Sequence, residues 1–181
     1  DFAFIPAPMN HSGENIPTAS YARFISELRQ DFDYIIIDSC AEMTDYYLSF
    51  ASQADEAVIV TLHQSTSVRA AEKTAARLSA MGIKTLSLVV NGYREKFAEK
   101  GRLPSIADII NRSSVRLLGV VPYSEKLQAS QEAAELAFSG NLRKKATDCE
   151  NAFYNMALRI CGQRIRLFDG ADQSKRRSSY E

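Results

Sequence analysis

Tyr34-Ile-Ile-Ile37, followed at once by Asp38-Ser39, is the stretch on which the reading of the fold turns. Four apolar residues in a row do not alternate as a half-exposed strand would. Continuous hydrophobicity marks a strand buried on both faces, as parallel sheets demand. The same grammar recurs at Ala57-Val-Ile-Val60, Thr85-Leu-Ser-Leu-Val-Val90 and Leu117-Leu-Gly-Val-Val121. Phe2 to Ile5 is a shorter β-prone run that ends at Pro6-Ala-Pro8.

Helical spacing fills the intervals. Thr18 is placed to cap a helix carrying Tyr21, Phe24, Ile25 and Leu28. Residues 44–52 read as helix, and Ser65 or Ser67 opens another with Val68, Ala71, Ala75 and Leu78 on one face and Gly82 as its stop. A charged loop from Arg94 to Arg102 leads to a short helix over 105–111, and helical pieces follow over 124–138. A long helix is predicted over 142–162, with Leu142, Ala146, Cys149, Phe153, Met156 and Ile160 as its apolar face. Strand and helix alternate throughout. The expected fold is α/β, a parallel sheet between two helical layers.

Composition narrows the class. A chain of 181 residues with 45% hydrophobic and 24% charged residues fits one globular domain. Lys plus Arg and Asp plus Glu both number 22, so no global field selects nucleic acid or a membrane surface. Cys40, Cys149 and Cys161 are odd in number and widely spaced, which argues for a reducing cytoplasm over a disulfide framework or zinc site. His11 and His63 are too few for a His-rich metal site and read as loop or surface residues. No apolar run approaches the roughly 20 residues that span a bilayer. The chain opens on a strand-like run without methionine, which reads as a chain cut within a domain. Residues 1–162 are taken as the domain, and the polar residues 163–181 as a loose tail.

Ligands in parallel sheets sit at the carboxyl ends of the strands. Asp38 follows the first long run, and a carboxylate there can hold magnesium through water beside a triphosphate. Turns and helix caps use Asp equally well. Asn91-Gly92 follows the next-to-last run; the Asn amide offers a donor and an acceptor to an adenine edge, while Asn-Gly is also a common turn pair. Pro122-Tyr123-Ser124 follows the last, and reads either as a wall for a base or as a plain strand-to-helix connection.

Read in order, these segments resemble the MinD/ParA-type P-loop ATPases, and most nearly the septum-placing branch of that family. Phe32-Asp-Tyr-Ile-Ile-Ile-Asp-Ser39 is similar to the family's Walker B segment. Ala54-Asp-Glu-Ala-Val-Ile-Val-Thr61, Leu88-Val-Val-Asn91 and Leu118-Gly-Val-Val-Pro122 resemble its later strands and strand ends, Ser67-Val-Arg69 with the helix behind it resembles the family's V-R-D-A-D stretch, and Phe4-Ile-Pro-Ala-Pro8 is similar to an upstream L-P-A-P segment. Ala152-Phe153 through Arg159-Ile-Cys-Gly162 resembles its final helix. The resemblance spans residues 2–168. It implies a three-layer P-loop NTPase fold, ATP and Mg2+ as ligands, Asp38 as the catalytic magnesium-supporting residue, and Asn91 with Pro122, Tyr123 and Ser124 around adenine. Residues 39–43 would form switch II, which senses the γ-phosphate. An ATP-dependent homodimer, a regulatory protein partner and peripheral contact with the inner face of the cell membrane are implied as well.

Three departures bear on activity. The family's phosphate loop needs clustered glycines and lysines so that backbone N–H groups and charge cradle the phosphates. Gly13, Gly82, Gly92, Gly101, Gly119, Gly140, Gly162 and Gly170 nowhere cluster so. The N-terminal strand and phosphate loop are therefore expected to lie in a preceding piece of roughly 90–100 residues, within normal domain size. Glu42 stands in switch II where the family has glycine, adding charge near the triphosphate, and Ala70 replaces the family's Asp. The tail, Ser174-Lys-Arg-Arg-Ser-Ser-Tyr-Glu181, is basic but has no apolar face for a lipid interface. The resemblance thus implies a septum-placing ATPase, or else a non-catalytic localisation or scaffold relative.

Overall fold

The computed structural model describes residues 3–6, 17–39, 45–133, 147–165 and 167. The chain forms two compact units, Asp1–Ala54 and Asp55–Glu181.

In the second unit three parallel strands, β1 (Glu56–Leu62), β2 (Thr85–Tyr93) and β3 (Arg116–Pro122), lie in that order with β2 at the centre. Consecutive parallel strands need crossover connections. Helix α3 (Ser65–Ala80) supplies the first, and α4 (Glu95–Glu99) with α5 (Ile106–Ser113) supplies the second. The β1–β2 register aligns Ile59 with Leu88 and Thr61 with Val90, which puts these four buried residues on one face of the sheet. Helix α3 packs on β1 and α5 on that side, burying Val68, Ala71, Ala75 and Leu78 as the spacing predicts. Gly82, at φ +93, ends α3. Ile83 N–H donates to Leu78 O at 3.2 Å and Gly82 N–H to Ser79 O at 3.0 Å, closing the last turn in a Schellman motif.

Helix α7 (Asp148–Ile160) covers the opposite face, where Val89, Leu118, Val121, Cys149, Ala152 and Met156 form one cluster. The expectation of helices on both faces holds here. The buried stripe of α7 nevertheless differs from the predicted one: Cys149, Ala152 and Met156 are buried, while Phe153 and Ile160 are 39% and 46% exposed. Ala152 faces the sheet because its small side chain allows close approach. The helix also begins later than predicted. Thr147 is its N-cap, in a capping box with Glu150, whereas Leu142 and Ala146 lie outside the described residues. Helix α5 has the same device in Ser105 and Asp108.

The first unit contains α1 (Thr18–Leu28), which buries Tyr21 and Ile25, and α2 (Asp45–Ala51). Tyr21 and Phe50 join these helices through a ring contact of 3.9 Å between centroids. Pro17, not Thr18, stands at the N-cap of α1. The runs that read as strands in this unit carry no strand assignment among the described residues. Tyr34 and Ile36 are 60% and 91% exposed, and Phe4 and Ile5 are also exposed. Continuous hydrophobicity specifies burial between neighbours on either side, and the described sheet consists of β1, β2 and β3 alone.

Gly119 shows how closely α7 approaches the sheet: a Cβ there would overlap Met156 Cγ and Sδ, which are not a freely swinging chain end. We predict that Gly119→Ala destabilises the protein by about 1–3 kcal/mol through overpacking. The measurement is the urea midpoint; an unchanged midpoint would contradict the close approach.

Candidate functional site

The carboxyl ends of β2 and β3 meet in a bulge. Val90 pairs with Val120 and Tyr93 with Pro122, so Asn91 and Gly92 together oppose Val121 alone. Gly92 takes φ +67, a left-handed conformation that glycine adopts without a Cβ penalty. Asn91-Gly92 is therefore not the turn that the dipeptide suggests; β2 runs on through it to Tyr93. Half-buried Asn91 sits at the bulge, beside the strand end that carries Pro122.

Pro122, Tyr123 and Ser124 follow directly and are largely engaged by the fold. Pro122 O accepts from the Cys149 thiol at 3.1 Å. Burial pushes that thiol's pKa up, against the opposing pull of Ser124. Tyr123 N–H donates to Tyr93 O at 2.9 Å, bridging the two strand ends. Ser124 is the N-cap of α6 (Glu125–Glu132), its hydroxyl accepting from Leu127 N–H at 3.2 Å. The side chain at this edge with an open face is Tyr123. Its hydroxyl donates to Gln128 Oε1, and the Arg94 guanidinium lies 3.7 Å from its ring centroid. Arg94 also stands 5.8 Å from the Phe97 ring.

The structure brings Asn91, Pro122, Tyr123 and Ser124 to one edge. Asp38 belongs to the other unit, where it is exposed after the apolar stretch 34–37. Glu42 and Cys40 lie outside the described residues; Ala70 is exposed on α3. Among the described residues no group of three or more His, Cys, Asp or Glu is placed to hold a metal ion. A single exposed carboxylate is nonetheless the protein ligand that magnesium needs when phosphates and water complete its shell. Two surface cavities of about 380 and 600 Å³ open at the amino ends of the strands, beside Lys84 and Arg116, and so lie away from this edge.

Sequence reading missed two participants. Arg94 sat in a stretch read only as charged loop. His63, read as surface or loop, is 3% exposed. Its Nδ1 accepts from Arg94 N–H at 3.1 Å, its Nε2 stands 2.6 Å from Pro104 O, and its ring lies 4.4 Å from that of Tyr93. With Nδ1 accepting, Nε2 carries the proton and donates to Pro104. Burial holds the His63 pKa below its ordinary value of 6.5, against the opposing pull of the Pro104 carbonyl. Tyr93 beside it is pushed up by burial and by the charges of Glu95 and Glu99. No sequence signal marks His63, because its partners are main-chain groups 31 and 41 residues away.

A parallel sheet with polar groups gathered at its carboxyl edge is the layout of nucleotide-binding α/β proteins. The chain belongs to the MinD/ParA-type P-loop NTPases: the family described as ParA, NUBPL iron-transfer P-loop NTPase, matches residues 18–161. It is 30% identical over 169 residues, 93% of its length, to the septum site-determining protein MinD of Synechocystis. It is 29% identical over 173 residues to the same-named protein of Bacillus subtilis. It spans 62% and 63% of those two proteins. Among solved structures, the MinD cell division protein of Aquifex aeolicus superposes with a TM-score of 0.74 at 24% identity, covering 84% of this chain and 64% of that one. MinD of Pyrococcus horikoshii, solved with Mg-ADP, superposes with a TM-score of 0.65 at 20% identity, covering 80% of this chain and 56% of that one. Among the described residues no helix is long and apolar enough to cross a membrane.

A histidine buried as the neutral form binds fewer protons folded than unfolded in the window just below 6.5. Its contribution to stability is present above 6.5 and is lost as pH falls toward the folded value. Urea midpoints of the full-length protein are expected to fall across that window, and His63→Gln to flatten the fall. Equal slopes in the two proteins would remove His63 as the cause.

Proposed function

We propose that this chain is part of a MinD-like ATPase that helps to position the division septum, and that its carboxyl edge receives the adenine of ATP. The observation that carries the reading is the bulge at Asn91, which places that residue opposite Val121, next to Pro122 in sequence, at the end of a parallel strand. An amide that can donate and accept at once suits the N6–N1 edge of adenine. The open face of Tyr123 and the guanidinium of Arg94 give a planar surface nearby. Asp38, an exposed carboxylate after an apolar stretch, would hold Mg2+ through water. The ion's chemistry there is neutralisation of phosphate charge. Likeness to the septum site-determining proteins supports this reading, since it runs over nearly the whole chain.

An ATP-dependent homodimer and a regulatory protein partner go with the same proposal; an Aquifex aeolicus MinD was solved as a MinC:MinD complex. The cellular setting is the cytoplasm, with peripheral contact at the inner face of the membrane. The basic tail, lacking an apolar face, would contribute little to that contact. Nothing in the charge balance calls for nucleic acid. A second reading, a non-catalytic localisation or scaffold protein, is favoured by Glu42 in the switch segment.

The test uses the full-length protein with Mg2+. Asn91→Ala should weaken binding of a fluorescent ATP analogue roughly tenfold. Asp38→Ala should lower ATP turnover by about two orders of magnitude. Turnover equal in wild type and Asp38→Ala, with binding intact, would select the scaffold reading. Wild-type affinity in Asn91→Ala would remove the adenine assignment.

A further inference from the structure

The buried imidazole of His63 has no part in the function proposed so far, yet it joins three segments at the nucleotide edge. It stands one residue beyond β1, holds the main chain one residue beyond β2, and reaches the loop before α5. We propose that His63 is a positioning residue for nucleotide binding, a neutral clasp whose protonation loosens the strand end carrying Asn91 and Arg94 and so weakens affinity. The inference rests on the adenine assignment made above and adds a regulation of that same site.

The geometry leaves one protonation state. Arg94 N–H points at Nδ1, so that nitrogen must be unprotonated, and Nε2–H donates to Pro104 O. Protonating Nδ1 would set two donors against each other at 3.1 Å. The ring can keep its bond to Pro104, but the bond to Arg94 has to break. Arg94 is the residue that stacks on Tyr123, and Tyr123 N–H is bonded to Tyr93 O. Release of the Arg94 main chain therefore acts on the Arg94–Tyr123 stack and on the short strand end from Asn91 to Tyr93. The glycine in that segment, at φ +67, offers no side chain to hold it.

The charged and titratable groups around the ring do not offer a competing switch. Tyr93 is in ring contact, and its own pKa is pushed further above 10.0, so it stays neutral. Glu95 and Glu99 on α4 act on Tyr93, and the Arg94 guanidinium is turned to Tyr123. Asp108 on α5 is bonded to Ser105. Arg69, Glu72, Lys73 and Arg77 on α3, Lys96 on α4, Lys100 and Arg102 in the following loop and Arg112 on α5 complete the charges on these elements. Burial and the Pro104 carbonyl are the influences that act on His63.

The experiment has a ligand-free arm and a binding arm, both on the full-length protein from pH 5.5 to 8. In the first, the Arg94 amide resonance is followed by NMR in wild type and His63→Phe, a variant that keeps a ring against Tyr93 and loses both hydrogen bonds. In the second, the Kd of a fluorescent ATP analogue with Mg2+ is measured for wild type, His63→Phe, His63→Gln and Asn91→Ala. Titration of the nucleotide's own phosphates is common to all four. In wild type the Arg94 amide should titrate together with the His63 ring, and affinity should fall roughly three- to tenfold with it beyond the fall seen in the variants. His63→Phe should bind weakly at every pH. His63→Gln, a neutral hydrogen-bonding replacement, should recover part of the affinity without the extra pH slope. An Arg94 amide that does not titrate, or the same pH slope in wild type and His63→Phe, overturns the proposal. If either result comes with weakened binding in Asn91→Ala, the adenine assignment survives and His63 alone is excluded. Wild-type binding in Asn91→Ala removes the adenine assignment and the proposal with it.

Discussion

The parallel ladder around β2 is the constraint on which the second unit depends. A central strand must satisfy its backbone donors and acceptors on both edges, because no water reaches them. Strand β2 does so with β1 on one side and β3 on the other. Leu88 and Val90 are fully buried on one face, and Val89 meets α7 on the other. Both helical layers are positioned by that sandwich. Helix α3 needs small residues, Ala71 and Ala75, to come close to β1, and α7 needs Gly119 for Met156 to lie on β3.

The carboxyl edge is built where that regularity stops. The β2–β3 ladder shifts register once between Leu88 and Val89, and past Val90 it spends two residues of β2 against one of β3. The bulge gives Asn91 its place at the edge, and the next residues, Tyr93 and Arg94, are tied down by contacts from outside β2. His63 takes the Arg94 amide, Tyr93 O takes the Tyr123 amide, and the Arg94 side chain closes over the Tyr123 ring. Each tie joins segments distant in sequence. The edge is therefore a property of the assembled sheet.

One side of the sheet keeps an apolar surface. Val58, Val60 and Leu62 alternate along β1 and are 44–64% exposed, in register with Ser87, Val89 and Asn91. Helix α7 covers that face at β3. In the first unit Ile36 and Tyr34 are likewise exposed. These apolar runs account for the strong parallel-sheet signal in the sequence, including where no ladder forms among the described residues. The chain spans 62% of the Synechocystis relative.

Local rules were enough for the elements that local chemistry controls. Continuous apolar runs marked β1, β2 and β3; spacing marked α3; Gly82 marked its end. The family was legible because the strand-end segments keep their order along the chain, and the matched residues 18–161 cover the same ground. Asn91 and Pro122 could be placed at the carboxyl edge for the same reason, as both immediately follow apolar runs. The apolar face of α7 was misjudged, since period alone does not say which side of a helix meets the sheet; Ala152 is buried there and Phe153 is not. Asn91-Gly92 read as a turn because a bulge exists only where a second strand supplies the count. His63 was lost altogether. Its environment consists of a main-chain N–H, a carbonyl and a ring from two other segments, and burial of this kind is written in no local pattern. What the sequence by itself determined was the order of elements, through hydrophobic period and stop signals. Only the tertiary structure decided which polar groups meet at the carboxyl edge, because hydrogen bonds between distant segments depend on the register that the packed sheet imposes.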